Sequence, residues 1–166
     1  MSKNSQRGPF ASIVHALWLL MQRRIHFPKD RLGEIVGEGE KFEVFRYMTL
    51  DSGENQPDKP GAIFKVRFRF ASMSPEMNKR TSRIPIPFIV AQPGFRSKMW
   101  ALGRESGEFQ GIYEWDTVAS GENYWTSFPM KLMKRRAVPE SLSYEIEEVG
   151  SYPSRLRIFP IRDNAA

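Results

Sequence analysis

One stretch of the chain alternates between apolar and charged side chains without a break. Between residues 62 and 71, the apolar positions are Phe64, Val66, Phe68 and Phe70. The basic positions between them are Lys65, Arg67 and Arg69. A period of two over this length predicts a β-strand with one face in an apolar core. The basic face needs solvent or acidic partners, and we expect it to be shared by Glu114 and Asp116 of the third strand and by Glu145 and Glu147 of the fourth.

The segments after this strand give a familiar order of elements. Ser74-Pro75 begins a helix that runs to about Arg83, because serine caps helices and proline favours the first helical position. Strands are predicted over 95–102 and 108–115, a helix over 118–128, and a last strand over 141–149. Strand, helix, strand, strand, helix, strand is the βαββαβ order of the ferredoxin-like fold, an α+β fold.

The chain divides into three parts. Residues 1–60 form an N-terminal extension with a helix over 10–25 and a β-hairpin, whose strands 31–36 and 41–47 are joined at Glu38-Gly39-Glu40. Residues 61–150 form the ferredoxin-like domain, and residues 151–166 form a C-terminal tail. The polar stretch from Asp51 to Gly61, with two prolines and two glycines, predicts the boundary.

Composition restricts the function classes. The chain has no cysteine, which excludes disulfides, iron–sulfur clusters, cysteine zinc sites and thiol catalysis. Its net charge is +6, but the basic residues are scattered and form no recognised motif, so we expect no nucleic-acid partner. The apolar run 10–21 is too short to span a membrane and lacks a cleavage site, so we expect a cytoplasmic protein. Peripheral membrane contact through Trp18 and the flanking arginines is the minor alternative.

Few residues are of the kind that bind metals or cofactors. The two histidines, His15 and His26, both lie in the N-terminal segment without ligand spacing, so we predict no metal site. The sequence has no phosphate-binding loop, dinucleotide fingerprint or nucleophile elbow, and we predict no cofactor. His15 is a candidate general base if its helix covers a pocket.

Two neighbouring segments carry a resemblance to a known family. They are 93–102, in which Lys98 and Trp100 are two apart, and 107–116, which reads Gly-Glu-Phe-Gln-Gly-Ile-Tyr-Glu-Trp-Asp. Over residues 62–149 the chain resembles YdhR-type monooxygenase-like proteins and, more loosely, the antibiotic-biosynthesis monooxygenase superfamily. The resemblance implies a dimeric α+β barrel, which is a homodimer built through the sheets with a pocket between sheet and helices. Some members oxygenate aromatic polyketides without metal or flavin, and others degrade haem, isomerise lactones or decompose chlorite.

The pattern of aromatic residues suggests which side chains line that pocket. Gly111 leaves space on the sheet, and Tyr124 and Phe128 lie four apart on the predicted second helix. The predicted substrate-binding residues are Phe68, Trp100, Tyr113, Trp115, Tyr124 and Phe128. Tyr113, Tyr124 and His15 are the candidates for catalysis. Core packing is the alternative role for the aromatic residues, and Lys98 and Trp100 could serve a dimer interface instead.

Three functional hypotheses follow. The first is a cofactor-independent monooxygenase-like enzyme that acts on a small apolar substrate, polycyclic or polyketide-like. The second is a non-redox cyclase or isomerase that uses the same pocket to hold its substrate in a reactive shape. The third is a binding module without catalysis, which docks a partner through the basic run 131–136.

Overall fold

A computed structural model describes residues 8–37, 39–51, 53, 56–150 and 157–158. The first seven residues of the predicted extension, Glu38 of the predicted turn, and most of the predicted tail 151–166 therefore lie outside the described residues. The elements are α1 (Pro9–Met21), β1 (Ile25–His26), β2 (Ile35–Val36), β3 (Phe42–Leu50), β4 (Ala62–Phe68), α2 (Pro75–Thr81), α3 (Ile86–Val90), β5 (Phe95–Gly103), β6 (Phe109–Trp115), α4 (Val118–Trp125), α5 (Phe128–Lys134), a 3-10 turn (Pro139–Ser141), β7 (Ser143–Glu148) and β8 (Arg157–Ile158).

The strands described form one antiparallel sheet. The main path runs β1-β3-β5-β6-β4-β7-β8, and β2 pairs with β3. Helices α2 and α3 connect β4 to β5, and helices α4 and α5 connect β6 to β7. This arrangement confirms the predicted βαββαβ order and the ferredoxin-like fold. The structure describes a single chain, so the expected homodimer stays a prediction.

The alternating segment forms β4, which lies between β6 and β7. The Phe64 side chain is fully buried on the face that meets the helices. On the opposite face the Lys65 ammonium lies 3.3 Å from the Glu145 carboxylate and 3.8 Å from that of Glu147. The predicted pairing of charges is therefore confirmed for the fourth strand. It is wrong for the third, where Glu114 accepts a hydrogen bond from Ser97 and Asp116 pairs with Arg96. The strand ends at Phe68, three residues earlier than the alternation suggested.

The sheet face opposite the helices carries more apolar surface than the sequence predicted. Arg67 covers part of it, because its guanidinium lies 4.9 Å from the centre of the Phe42 ring and its Nε donates to Gln110 across 2.9 Å. A long basic side chain can shield apolar surface while its charged end reaches polar groups. The buried members of this second cluster are Phe42, Val44, Met99, Ala101 and Ile112.

The N-terminal segment extends the sheet. β3 lies along β5, from Phe42 opposite Gly103 to Thr49 opposite Ser97. β2 and β3 form the predicted hairpin, but its first strand covers Ile35–Val36 alone instead of residues 31–36. The extension therefore places a strand beside the edge of the four-stranded βαββαβ sheet.

Helix α1 ends at Met21, four residues before its predicted end. Arg23 has a φ of 54°, a left-handed conformation that breaks the helix, and Ile25–His26 pairs with β3 instead. The helix packs on α3 through its buried residues Ser12, Ala16 and Leu19. No helix in the described ranges combines the length and the apolar character needed to cross a membrane.

Proline divides the second crossover connection. The helix predicted over 118–128 ends at Trp125, and Phe128 begins α5 with Pro129 directly after it. A continuous helix would need an N–H at position 129 to donate to the carbonyl of Trp125, and proline has none. Lys134 Nζ donates to that carbonyl instead, across 2.9 Å. As a result, Tyr124 and Phe128 do not share one helical face, contrary to the prediction.

Candidate functional site

A cavity of about 110 Å³ lies between the sheet and helices α2, α3, α4 and α5. Its floor is made of residues of β4, β5 and β6, and its roof is made of residues of the helices and of the segments next to them. Most of the lining is aromatic or aliphatic, and a few polar groups interrupt it. Apolar walls with few polar groups are typical of sites for small organic molecules.

Lys98 of β5 lies in the floor of this cavity. Its Nζ is 4.2 Å from the centre of the Trp100 ring and 4.4 Å from that of the Tyr113 ring, and the residue is 5% exposed. Burial holds the pKa of Lys98 well below its usual value, and the positive charge of Arg46 lowers that pKa further. Among the described residues no carboxylate forms an ion pair with Lys98. The side chain is therefore an amine with an increased neutral fraction, held between two aromatic rings.

Two tyrosines meet beside this lysine. The Tyr124 hydroxyl, from α4, donates to the Tyr113 hydroxyl, from β6, across 3.1 Å. Burial raises the pKa of both hydroxyls. The charge of Tyr113 and the hydrogen bond to it raise the pKa of Tyr124 further, whereas the same hydrogen bond partly offsets the rise at Tyr113. Both tyrosines are therefore neutral at physiological pH, and a neutral hydroxyl can donate a hydrogen bond. As neutral hydroxyls they are unsuited to accept a proton from a substrate.

Asn78 of α2 supplies a further polar group. It lines the cavity and is 3% exposed. Its Nδ2 has no hydrogen-bond acceptor among the described residues. Because a buried donor without an acceptor is destabilising, the site holds a polar group that an acceptor atom of a ligand could satisfy.

Gly111 of β6 lies opposite Trp100 of β5 and beside the Tyr113 ring. A Cβ built at Gly111 would come within 2.8 Å of Tyr113 Cε2, which is closer than real contacts allow. The space that the sequence predicted above Gly111 is therefore partly occupied by the ring of Tyr113. Glycine is needed here so that the ring can lean across the strand.

The roof of the cavity is built from side chains that can change shape. Met73, Met130 and Met133 line it, and methionine has three rotatable bonds and no branching. Arg136 holds Met73 through a contact of 3.3 Å between its Nη2 and the thioether sulfur. A cavity of roughly 150 Å³ is enough for one benzene ring. The cavity as it stands suits a single ring at most, and a larger ligand requires these methionines to move.

The structure brings four of the six predicted substrate-binding residues to the cavity and leaves two away from it. Trp115 is fully buried, 5.0 Å from the Tyr124 ring and 5.6 Å from the Phe95 ring between ring centres, and belongs to the core. Phe128 is 46% exposed and contacts the ring of Phe88, because the break at Pro129 turns it away. The four on the cavity wall are Phe68, Trp100, Tyr113 and Tyr124.

His15 does not lie at this cavity. It lines a separate surface depression with Leu19, Val90 and Gln92, and its ring stacks on Trp18 with 5.8 Å between ring centres. Helix α1 packs against α3, so it does not cover the sheet–helix cavity as the sequence hypothesis required. Among the residues that the structure describes, no group of three or more His, Asp or Glu side chains is placed to hold a metal ion.

Lys98 and Asn78 are two buried polar residues of the cavity that were not among the predicted site residues. Lys98 had a visible signal: it lies two residues before Trp100, so both side chains point to the same face of a strand. That face is otherwise apolar, and a lysine there has to be buried. Asn78 gave no signal, because an asparagine in a short polar helix segment is ordinary.

The comparisons with known proteins agree with the fold. No family model matches the chain, and no curated protein matches it either. The structure is similar to the haem-degrading enzyme LmHde of Listeria monocytogenes, with a TM-score of 0.50, 13% identity, and coverage of 80% of this chain and 91% of that one. It is also similar to a ferredoxin-fold protein of the same species that is related to antibiotic-biosynthesis monooxygenases, with a TM-score of 0.50, 13% identity, and coverage of 80% and 86%.

At this level of identity the likeness concerns the fold and leaves the reaction open. It agrees with the resemblance carried by the segments around Lys98 and Gly111. The chain therefore has the ferredoxin-like fold of proteins related to the antibiotic-biosynthesis monooxygenases.

Proposed function

We propose that the protein is a cofactor-independent, monooxygenase-like enzyme that acts on an apolar ring compound in the sheet–helix cavity. The observation that carries the proposal is the placement of the Lys98 amine in an apolar cavity, between the rings of Trp100 and Tyr113. A neutral amine can accept a proton from an acidic C–H or O–H group of the substrate. The aromatic rings beside Nζ stabilise the ammonium that results.

The substrate itself supplies the electrons in this mechanism. Loss of a proton to Lys98 leaves a carbanion, which reduces molecular oxygen and takes up one oxygen atom, while the other leaves as water. The hydroxyl of Tyr113 can donate to the negative oxygen that develops on the substrate. The enclosing helices keep water away from the reactive intermediates.

Oxygen uptake tests the proposal. Anthrone is an apolar ketone with an acidic CH₂ group, and its conversion to anthraquinone and water consumes one oxygen molecule for each anthrone. Its three fused rings exceed the volume of the cavity as it stands, so its binding requires the methionine roof to move. We expect the wild-type protein to accelerate oxygen uptake, and Lys98→Met to lower the rate about a hundredfold or more, as is typical for removal of a general base. Lys59→Met, which removes an exposed lysine outside the cavity, is the control and should behave as wild type.

The same experiment separates the non-redox hypothesis. The cavity holds two neutral hydroxyls and an amine that can orient a substrate without oxygen, which also suits a cyclase or isomerase. Conversion of a substrate without oxygen uptake would favour that hypothesis. Uptake no faster than in buffer, together with tight anthrone binding in a thermal-shift assay, would reject oxygenation of this substrate class.

A further inference from the structure

The Lys98 amine and the Asn78 amide line the same cavity and have complementary chemistry. The amine is buried between two rings, and among the described residues it has no carboxylate partner. The amide Nδ2 of Asn78 is buried and has no acceptor. One group can act as a nucleophile, and the other is a donor that requires an oxygen.

A carbonyl group offers both features that these residues need. Its carbon is electrophilic and can be attacked by a neutral amine. Its oxygen accepts a hydrogen bond from an amide N–H. A carboxylate or phosphate ligand would offer acceptors as well, but its charge would be buried mainly among aromatic and thioether side chains. The lining carries one cation besides Lys98, the exposed Arg136, whose Nη2 contacts the Met73 sulfur.

We propose that Lys98 captures apolar aldehydes and ketones as an imine inside this cavity. Nζ attacks the carbonyl carbon to form a carbinolamine, the amine gives up two protons in total, and the carbonyl oxygen leaves as water, so that C=N replaces C=O. No electrons are transferred, and neither oxygen nor a cofactor takes part. This goes beyond oxygenation, since it assigns a covalent site and a chemical class of ligand to the same amine.

The environment of Lys98 favours the imine in two ways. Burial lowers the pKa of Lys98, and each unit of lowering raises the neutral, nucleophilic fraction of an amine at pH 7 about tenfold. The apolar walls also limit access of water, which would return the imine to amine and carbonyl. Exposed lysines of the chain have neither advantage.

The size of the cavity selects the probe. At about 110 Å³ it is close to the volume that holds one benzene ring, and the methionine roof can adapt to a small excess. Benzaldehyde is a single ring with one carbonyl group, and glyoxylate is a charged aldehyde of smaller size. The first should reach Lys98 and the second should not.

The test is reductive trapping at pH 7 under argon, with benzaldehyde and sodium cyanoborohydride, followed by peptide mapping by mass spectrometry. We expect one benzyl group on Lys98, added about tenfold or more faster than on any exposed lysine. Glyoxylate should modify exposed lysines and spare Lys98. The proposal is overturned if Lys98 is modified no faster than exposed lysines, or equally well by glyoxylate.

Three variants sharpen the result. Lys98→Met should lose the fast modification. If that variant does not fold, the peptide map of the wild-type protein is sufficient to show whether Lys98 is the modified residue. Lys134→Gln is the matched control: the pKa of Lys134 is lowered to about 8 by partial burial, but its Nζ lies over the Trp125 ring outside the cavity, so the fast modification should persist. Asn78→Ala should slow benzaldehyde capture several-fold, and an unchanged rate would remove Asn78 from the site. The trapping experiment contains no oxygen, so a failure of anthrone oxidation would reject the oxygenase proposal and leave imine formation untouched. A failure of trapping would reject imine formation and leave the oxygenase proposal untouched.

Discussion

The Tyr124 hydroxyl donates a hydrogen bond to the Tyr113 hydroxyl across 3.1 Å, inside the core of the protein. This contact joins helix α4 to strand β6 beside the candidate site. Phe64 of β4 lies against both rings, with 5.5 Å to Tyr113 and 5.8 Å to Tyr124 between ring centres. The position of the Tyr113 hydroxyl in the cavity therefore depends on a helix that is separate from the sheet.

Replacement of Tyr113 by phenylalanine should destabilise the protein more than replacement of Tyr124. Tyr113→Phe leaves the Tyr124 hydroxyl buried without its acceptor, which we expect to lower the free energy of unfolding by about 1–3 kcal/mol. Tyr124→Phe removes the donor and should cost about 1 kcal/mol. Urea denaturation measures both. The double variant should lose less than the sum of the two, and strict additivity would mean that the hydroxyls are not coupled.

Lys98→Met should make the protein more stable at pH 7. The pKa of Lys98 in the folded state lies below its value in the unfolded chain, so between these two values the unfolded chain binds more protons, and wild-type stability rises with pH. Burial of the amine therefore costs the folded wild-type protein free energy at pH 7, and Tm of the variant at pH 7 should exceed that of wild type.

The pH dependence checks the cause of that difference. The gap in Tm between Lys98→Met and wild type should narrow as pH rises toward about 10.4, where lysine in the unfolded chain also loses its proton. Lys59→Met, which removes an exposed lysine, measures the effect of a lost charge alone. A gap that stays constant from pH 7 to pH 10 would contradict the buried neutral amine.

Alanine at Gly111 should damage the site, and alanine at Gly121 should not. The added Cβ at Gly111 meets the Tyr113 ring at 2.8 Å, so the ring must move, and we expect a loss of about 1–3 kcal/mol in stability. At Gly121 of α4 the nearest atom is Trp115 Cδ1 at 3.4 Å, and alanine is the better helix former by about 0.5–1 kcal/mol. Thermal unfolding with circular dichroism measures both. Equal Tm changes would argue against the close approach of Tyr113 to Gly111.

Breaking the ion pair of Arg96 with Asp116 should destabilise the protein far more than breaking the pair of Arg104 with Glu43. Arg96 is 8% exposed, and its Nε lies 3.5 Å from Asp116 Oδ1. Asp116→Ala leaves that buried cation without its carboxylate, and we expect a loss of about 2 kcal/mol or more.

The second pair is the matched control. Arg104 Nη2 lies 2.9 Å from Glu43 Oε2, but both side chains are largely exposed. Glu43→Ala should therefore change stability by less than about 1 kcal/mol. Urea denaturation in low and in high salt distinguishes the two pairs, since the exposed pair is screened and the buried pair much less so. A larger loss for Glu43→Ala than for Asp116→Ala would contradict the burial of Arg96.

Local patterns in the sequence predicted most of the ferredoxin-like core. The alternation around Phe64 predicted β4, and Ser74 caps α2 by accepting a hydrogen bond from the N–H of Met77 across 3.3 Å. The pairing of β3 with β5 was not predicted, because periodicity shows that a segment is a strand but not which strand it lies beside. The helix break after Trp125 follows from the missing N–H of Pro129, which is visible in the sequence. Its consequence, that Phe128 turns away from the cavity, was not predicted.

The candidate site was predicted in part. Four aromatic residues were expected at the cavity and lie there. Alternation along β4, β5 and β6 determines the face on which Phe68, Trp100 and Tyr113 lie, and Tyr124 comes from α4. The role of Lys98 depends on its burial by helices, and the sequence of β5 does not show how those helices pack. The role of Asn78 was not predictable either, because it depends on a buried amide that lacks an acceptor in the folded structure.

The position of β3 beside β5 has a consequence for any truncated version of the protein. Eight of the nine residues of β5, all except Leu102, are buried. A fragment starting near residue 61 would strip β3 from this strand and leave its N–H and C=O groups unpaired along an apolar edge, which is a template for pairing with another chain. Self-association of such a fragment would therefore be caused by the loss of β3, and it would not indicate how the full chain assembles.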